Sequence, residues 1–354
     1  MPSPNFPAIR RNLLRWYENG HRDLPWRRVR DPYAIWIAET MLQQTQVTTV
    51  VPYYERFLKS FPTVAALDRA PLRRVLALWS GLGYYRRAEN LKKCARVLAV
   101  KHEGRLPDNY EKLRALPGVG AYTAGALMSI AFGRRYPAVD ANVRRVVSRV
   151  LQIQGEARIA ETAERLVPRR RPGDFNQALM ELGETICTPR TPRCAACPLA
   201  RCCRAGTNAT VAVTMTPNRT KILRNITWPL AVIRLNGKIL LRRRSRRGIL
   251  AGLWEFPGAE VGACESVDAV LEAHLAPLQW QLPHRWRIDE IRHSITDRKI
   301  TAPIYLFELG PAPALRLPDR FWRWFCPKSL HRQPVSSMTL KALNSLAAHE
   351  KSRH

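Results

Sequence analysis

Four cysteines near the middle of the chain, Cys187, Cys194, Cys197 and Cys203, follow a C-x6-C-x2-C-x5-C spacing that gathers four thiolates in one short loop. This is the spacing of a cluster site. Iron–sulfur clusters are held by four such thiolates, whereas structural zinc usually takes two separated close pairs, and this loop has one. The spacing therefore favours a 4Fe–4S cluster over zinc. Cys202 stands beside Cys203, so spacing leaves the fourth ligand open between them. A disulfide framework fits poorly, because Cys94, Cys264 and Cys326 are scattered singly and nothing marks a secreted scaffold.

A chain of 354 residues has room for two ordinary domains, each with its own core. Its 58 Lys and Arg against 28 Asp and Glu leave a formal charge of +30, mostly arginine spread along the whole length. Arginine forks suit phosphate oxygens, and such a field adds salt-dependent affinity for nucleic acid. An acidic membrane surface is the weaker alternative, since no basic amphipathic segment stands out. The N-terminus lacks an apolar core of signal-peptide length, and no run approaches the ~20 apolar residues of a membrane span. A cytoplasmic protein with reduced thiols is expected, held near the nucleoid by DNA.

Residues 6–204 read as helices between turn signals, at 32–58, 70–79, 84–101, 110–116, 122–132, 142–151 and 175–186. This half is expected to be all-α. The Thr- and Asn-rich stretch 205–226 suits an extended linker. Beyond it, LAVIRL-NG-KILLRRR predicts a β-hairpin turning at Asn236–Gly237, with further strands at WEFPG, WRIDEIRH and APIYLFEL. The second domain, 227–354, is expected to be α+β.

Gly118-Val119-Gly120 lies between two short helical stretches, where glycines permit a tight turn and free backbone N–H groups open the second helix. Such a turn can grip a DNA phosphate without reading sequence. Asp140, where an extended Pro-Ala-Val stretch becomes a helix, can cap that helix, and capping favours its ionised form. Glu39 is flanked by Trp36, Ile37, Met41 and Leu42, so its carboxyl is expected to be desolvated and to hold a proton at neutral pH. One protonated carboxyl and one anionic carboxyl are the pair needed to cleave a glycosidic bond through an oxocarbenium-like transition state.

LPWR at 24–27, MLQQTQV at 41–47, GLGYYRRAENL at 81–91, LPGVGAYTAGA at 116–126, VDANVRRV at 139–146 and the cysteine loop occur in that order. Together they resemble the adenine DNA glycosylases of the MutY type, in the helix-hairpin-helix superfamily that includes endonuclease III. The resemblance implies an all-α helix-hairpin-helix glycosylase domain at 1–204 with a 4Fe–4S loop at 187–203, then the linker and an α+β Nudix-like lesion-recognition domain. It implies Glu39 as general acid at adenine N7 and Asp140 as stabiliser of the sugar cation or transient nucleophile, with Tyr122 and Asn142 as hydrogen-bonding support. Where the bifunctional lyases carry a lysine nucleophile this chain has Tyr122, so a monofunctional enzyme is expected. Arg22, Trp26 and Gln177 fall where this family lines its adenine pocket. Gln44, Thr45, Leu82 and Tyr84 fall where it probes the opposite strand and wedges the stack. The implied partner is double-stranded DNA containing mispaired adenine, bound by a monomer.

LLRRRSRRGILAGLWEFPG resembles the start of a Nudix fold, but no R-E-x-x-E-E run follows Gly258, so pyrophosphate hydrolysis is not expected. The family reads 8-oxoguanine through a loop that usually runs Phe-Ser-His. Here the corresponding stretch is Ile295-Thr296-Asp297, in which Thr296 keeps a hydroxyl. The rival readings are a pyrimidine-lesion or thymine-mismatch glycosylase on the same scaffold, and a non-catalytic DNA-structure or redox-sensing protein. The adenine-type pocket residues oppose the first, and the retained pair Glu39 and Asp140 opposes the second.

Overall fold

The structure is a computed structural model that describes residues 5–206, 223–245, 248–310 and 315–352. Eleven α-helices come first among the described residues: α1 (Phe6–Gly20), α2 (Pro32–Leu42), α3 (Val47–Ser60), α4 (Val64–Arg69), α5 (Leu72–Trp79), α6 (Arg86–Lys101), α7 (Tyr110–Arg114), α8 (Ala121–Ala126), α9 (Ala141–Leu151), α10 (Glu156–Leu166) and α11 (Pro172–Thr185). Internal contacts divide the chain into two compact units, Met1–Arg69 with Glu89–Arg219, and Ala70–Ala88 with Thr220–His354.

Short polar side chains start several helices of the first unit. Asp31 accepts from the amides of Tyr33 and Ala34 at the head of α2, and Asn109 accepts from Lys112 at the head of α7. The segment read as one helix over 32–58 is two. It breaks at Gln43–Gln46, where Gln44 takes a left-handed φ of 58°. Likewise α6 starts at Arg86 rather than at 84, because Gly81, Gly83 and Tyr84 all have positive φ. The helix expected over 122–132 is α8 followed by a π-helical turn at Leu127–Ala131. One core cluster of this unit packs Ile9 and Leu13 of α1 against Val143, Val146 and Val150 of α9 and Phe175, Leu179 and Leu182 of α11.

The second unit carries a seven-stranded sheet of β1 (Arg224–Thr227), β2 (Leu230–Leu235), β3 (Lys238–Arg243), β4 (Trp254–Glu255), β5 (Arg285–Ile295), β6 (Arg298–Glu308) and β7 (Trp322–Phe325). Helix α12 (Val267–Leu275) precedes β5, and α13 (Ser337–Ser352) ends the fold. β6 pairs in parallel with β1 and β2 and antiparallel with β5, while β3 pairs antiparallel with β2, β4 and β7. The expected hairpin is present, with Asn236 and Gly237 both at positive φ, which matches the twist of the flanking strands. Alternation along β2 feeds two cores. Leu230 and Val232 join Met338 and Leu346 of α13, whereas Ala231 and Ile233 join Leu271 and Leu275 of α12.

β1 begins at Arg224, inside the stretch read as linker; residues 207–222 of that stretch lie outside the described residues. The 70–88 segment belongs to this unit by its contacts. Tyr85 Oη donates to the carbonyl of Val335 at 2.8 Å, and the amide of Val335 donates to Ser80 Oγ at 3.1 Å. Among the described residues no helix is long and apolar enough to cross a membrane.

Candidate active site

Helix α2 is buried on every side from Tyr33 to Met41, so Glu39 has no solvated face to turn to. It is 4% exposed. Its Oε2 accepts from Tyr122 Oη at 2.5 Å, and the same hydroxyl lies 3.6 Å from Met180 Sδ. Burial pushes the carboxyl up to about 7; the Tyr122 bond opposes this, the Asp140 charge adds to it, and Arg27 opposes it. Burial, then the two carboxylates, also push the Tyr122 hydroxyl well above its usual range, so it remains a donor. Glu39 can therefore deliver a proton near neutrality.

Asp140 is the N-cap of α9. Its Oδ1 accepts from the Val143 amide at 2.7 Å and its Oδ2 from Asn142 Nδ2 at 3.0 Å. Capping alone predicts a lowered pKa, yet the net shift is upward, because burial outweighs the bonds from Val143 and Asn142 and the charge of Arg145. More groups favour the anion here than at Glu39, where only Tyr122 and Arg27 do so. Glycine makes room for this arrangement: a Cβ on Gly183 of α11 would lie 2.6 Å from that of Asn142. The two carboxyls thus occupy one buried region with opposite support, a donor hydroxyl at the acid and a helix start at the anion.

The residues expected to line the pocket lie in varied settings. Arg22 forms ion pairs with Glu181 and Glu184 of α11, each at 2.7 Å. Gln177 is half-buried on that helix, one turn before Glu181. Trp26 is packed inside, 5% exposed and edge-on to Tyr54 at 5.3 Å. Gln44 is exposed at the α2–α3 break, with half-buried Thr45 beside it. Leu82 is buried and Tyr84 is 47% exposed, both in the segment assigned to the second unit. Gly118 has a φ of 79°, and a Cβ there would come 2.7 Å from that of Asn90, so the turn before α8 needs glycine twice over. Gly120 is the N-cap of α8. Thr296 forms the tip of the β5–β6 hairpin with a φ of 55°, its hydroxyl 2.7 Å from the Ile295 carbonyl and 2.8 Å from Asp297 Oδ1.

Cys187, Cys194, Cys197 and Cys203 line one cavity of about 300 Å³. Cys202 is not among its lining residues; its sulfur lies 4.0 Å from Asn12 Nδ2. Burial, then the charges of Cys187, Cys203 and Cys194, hold the Cys197 thiol up at about 11, and Cys203 is raised by burial and by Cys187 and Cys194. Four thiolates in such a space need a cationic centre. Among the described residues no three His, Cys, Asp or Glu side chains are gathered tightly enough to hold a single ion. The four thiols lining one cavity are the donor set that an iron–sulfur cluster would take.

Two arginines of α9 were not singled out from the sequence. Arg145 donates to Asn142 Oδ1 at 2.8 Å, to the Gly183 carbonyl at 2.6 Å and to the Cys187 carbonyl at 2.8 Å. Arg149 lies 3.4 Å from Cys187 Sγ and donates to the carbonyls of Thr188 and Pro189 at 2.7 and 2.9 Å. The signal was there in spacing, since Asn142, Arg145 and Arg149 stand three and four apart on one helical face. Glu181 and Arg27, a buried pair at 2.8 Å, were missed as well.

Comparison with known proteins places both halves of the chain in known families. Residues 37–169 match the HhH-GPD superfamily base excision DNA repair protein family, and residues 230–345 match the NUDIX domain. A thermostable thymine-DNA glycosylase structure superposes with a TM-score of 0.54 at 33% identity, covering 57% of this chain and 96% of that one. Endonuclease III trapped as a covalent intermediate with DNA gives a TM-score of 0.51 at 26% identity, covering 58% and 98%. The human adenine DNA glycosylase is 35% identical over 401 residues, covering 94% of this chain and 73% of its own. With a helical glycosylase fold followed by a Nudix-like one, and that identity across both, the chain belongs to the adenine DNA glycosylase family.

Proposed function

We propose that the protein is a monofunctional glycosylase that hydrolyses the N-glycosidic bond of adenine mispaired with 8-oxoguanine or guanine in double-stranded DNA, leaving an abasic site. The observation that carries this reading is the 2.5 Å bond from Tyr122 to a buried Glu39. Glu39 protonates the leaving base at N7. Asp140, held by Val143 and Asn142, supports the positive charge that develops on the sugar or briefly bonds to it, and water completes the hydrolysis. Tyr122 stands where a lyase would need an amine, and a phenol forms no Schiff base. Arg22, Trp26 and Gln177 receive the flipped adenine, while Gln44, Thr45, Leu82 and Tyr84 address the gap and the opposite strand.

The Gly118–Gly120 turn grips the backbone, and the +30 charge supplies affinity that falls with salt. Cys187, Cys194, Cys197 and Cys203 would hold a 4Fe–4S cluster, supported by the shared cavity and the Arg149 contact to Cys187. When bound, such a cluster would tie down the loop from which the Cys187 carbonyl reaches Arg145. The second unit reads the lesion through Thr296, and the protein works as a monomer on nucleoid DNA.

Duplexes that differ only at one base pair test this reading. Adenine should be released opposite 8-oxoguanine and guanine, and the strand should break only after alkali. Release of thymine instead, or strand breaks before alkali, would refute it.

A further inference from the structure

The turn between α5 and α6 runs through three residues of positive φ, Gly81 at 99°, Gly83 at 77° and Tyr84 at 48°. Glycine enters this region freely, whereas an aromatic residue is strained there and stays only when its surroundings hold it. The Tyr84 ring is nevertheless exposed, so what holds it lies on its protein side. Arg87, 8% exposed, supplies that contact. Its guanidinium carbon lies 5.4 Å from the centre of the Tyr84 ring and 5.4 Å from that of the buried Trp79 ring. Nη2 of the same group donates to the Gly83 carbonyl at 3.1 Å and reaches that of Leu82 at 3.4 Å. Trp79 Nε1 also donates to the Gly83 carbonyl, at 3.0 Å, and the Arg87 amide donates to the Tyr84 carbonyl at 2.9 Å.

Burial pulls the Arg87 guanidinium down from its usual range to about 10, so it remains charged at neutral pH. Enclosing a charge costs stability that an apolar side chain would spare, and a residue that only filled space here would be apolar. A planar fork does what no apolar residue can, lying against two rings and bonding the carbonyls of the turn at once. We propose that Arg87 is a positioning residue for base extrusion: it fixes the strained turn and holds the Tyr84 ring ready to enter the base stack. This role rests on the reading of Tyr84 as the wedge. A ring already ordered loses less side-chain freedom on insertion than a mobile one, so more of its stacking remains to offset the cost of unstacking the target.

Single-turnover adenine release in a double-mutant cycle on the full chain tests the role, with a 2-aminopurine probe beside a 2′-fluorinated target adenosine as a second readout. The fluorine slows cleavage by opposing positive charge on the sugar, and the probe brightens when its neighbour leaves the stack. Arg87→Met should release adenine about tenfold more slowly and brighten the probe less, as expected for losing charge-assisted bonds. Y84A/R87M should be no slower than Y84A, because the arginine then has no ring to hold. Arg87→Lys keeps the charge but not the fork and should recover part of the rate; if Arg87→Met does not fold, Arg87→Lys takes its place in the cycle. A further tenfold loss on passing from Y84A to Y84A/R87M would make Arg87 a general support of the fold and overturn the role. So would normal release and a normal probe signal in Arg87→Met beside a slow Tyr84→Ala, an outcome that leaves Tyr84 as the wedge. Normal behaviour of Tyr84→Ala would instead overturn the wedge reading, and the role of Arg87 with it.

Discussion

The guanidinium of Arg145 lies 2.8 Å from the side-chain oxygen of Asn142, which fixes that amide so that its nitrogen faces Asp140 at 3.0 Å. The same arginine donates to the Cys187 carbonyl, so one side chain joins the amide that holds Asp140 to the cysteine loop. Arg145→Gln should lower single-turnover adenine release by about tenfold or more, in line with losing bonds to a charged donor. Arg145→Lys should recover part of it. An unchanged rate would mean that Asn142 needs no such anchor.

Glu39 also sets a trade between activity and stability. Its folded-state pKa of about 7 exceeds the ordinary 4.5, so the unfolded chain releases this proton first as pH rises. Stability is therefore lost progressively between these two values, and above about 7 the full penalty, on the order of 3 kcal/mol, persists. Glu39→Gln should melt higher than the wild type at pH 8, and the difference should shrink at pH 5. A difference that does not vary with pH would show that the carboxyl is not held protonated.

Much of this site could be read from the sequence, and the reasons for the misses are physical. The apolar neighbours Trp36, Ile37, Met41 and Leu42 announced the burial of Glu39 because α2 is enclosed whichever way it turns. The break at Gln44 carried no Gly or Pro to mark it, and a glutamine took the left-handed conformation that glycine usually supplies. Arg145 and Arg149 were not singled out, since their partners lie on the α11 end and the cysteine loop, far along the chain. The net pKa of Asp140 was missed for a related reason: capping is local and legible, while burial is tertiary. The pairing of Ser80 and Tyr85 with Val335 is likewise invisible in local pattern.

The cavity that holds four sulfurs separates the two adjacent cysteines. Protein as purified should be yellow-brown from thiolate-to-iron charge transfer, and Cys203→Ser should lower iron content and DNA affinity together. Cys202→Ser, whose sulfur lies 4.0 Å from Asn12 Nδ2 and outside that cavity, should change neither much. The reverse pattern would move the fourth ligand to Cys202.

Thr296 presents its hydroxyl at an exposed hairpin tip, already oriented by Asp297. In the full chain, Thr296→Ala should cut the preference for 8-oxoguanine over guanine by about 1–3 kcal/mol, the worth of a base-edge contact, with little change opposite guanine. Equal losses opposite both bases would assign Thr296 to general DNA binding. Deleting residues 220–354 is a poorer test, because it strips the partners of Ser80 and Tyr85, which belong to the same unit.

The central claim is that a protonated Glu39 drives base release, and the pH dependence of single-turnover excision tests it most directly. With Glu39 titrating at about 7, the wild-type rate should fall as pH rises through that value, approaching tenfold per unit above it. Glu39→Gln should bind mispaired DNA yet release almost no adenine at any pH. A wild-type rate flat from pH 6 to 9, or near-normal excision by Glu39→Gln, would contradict the account.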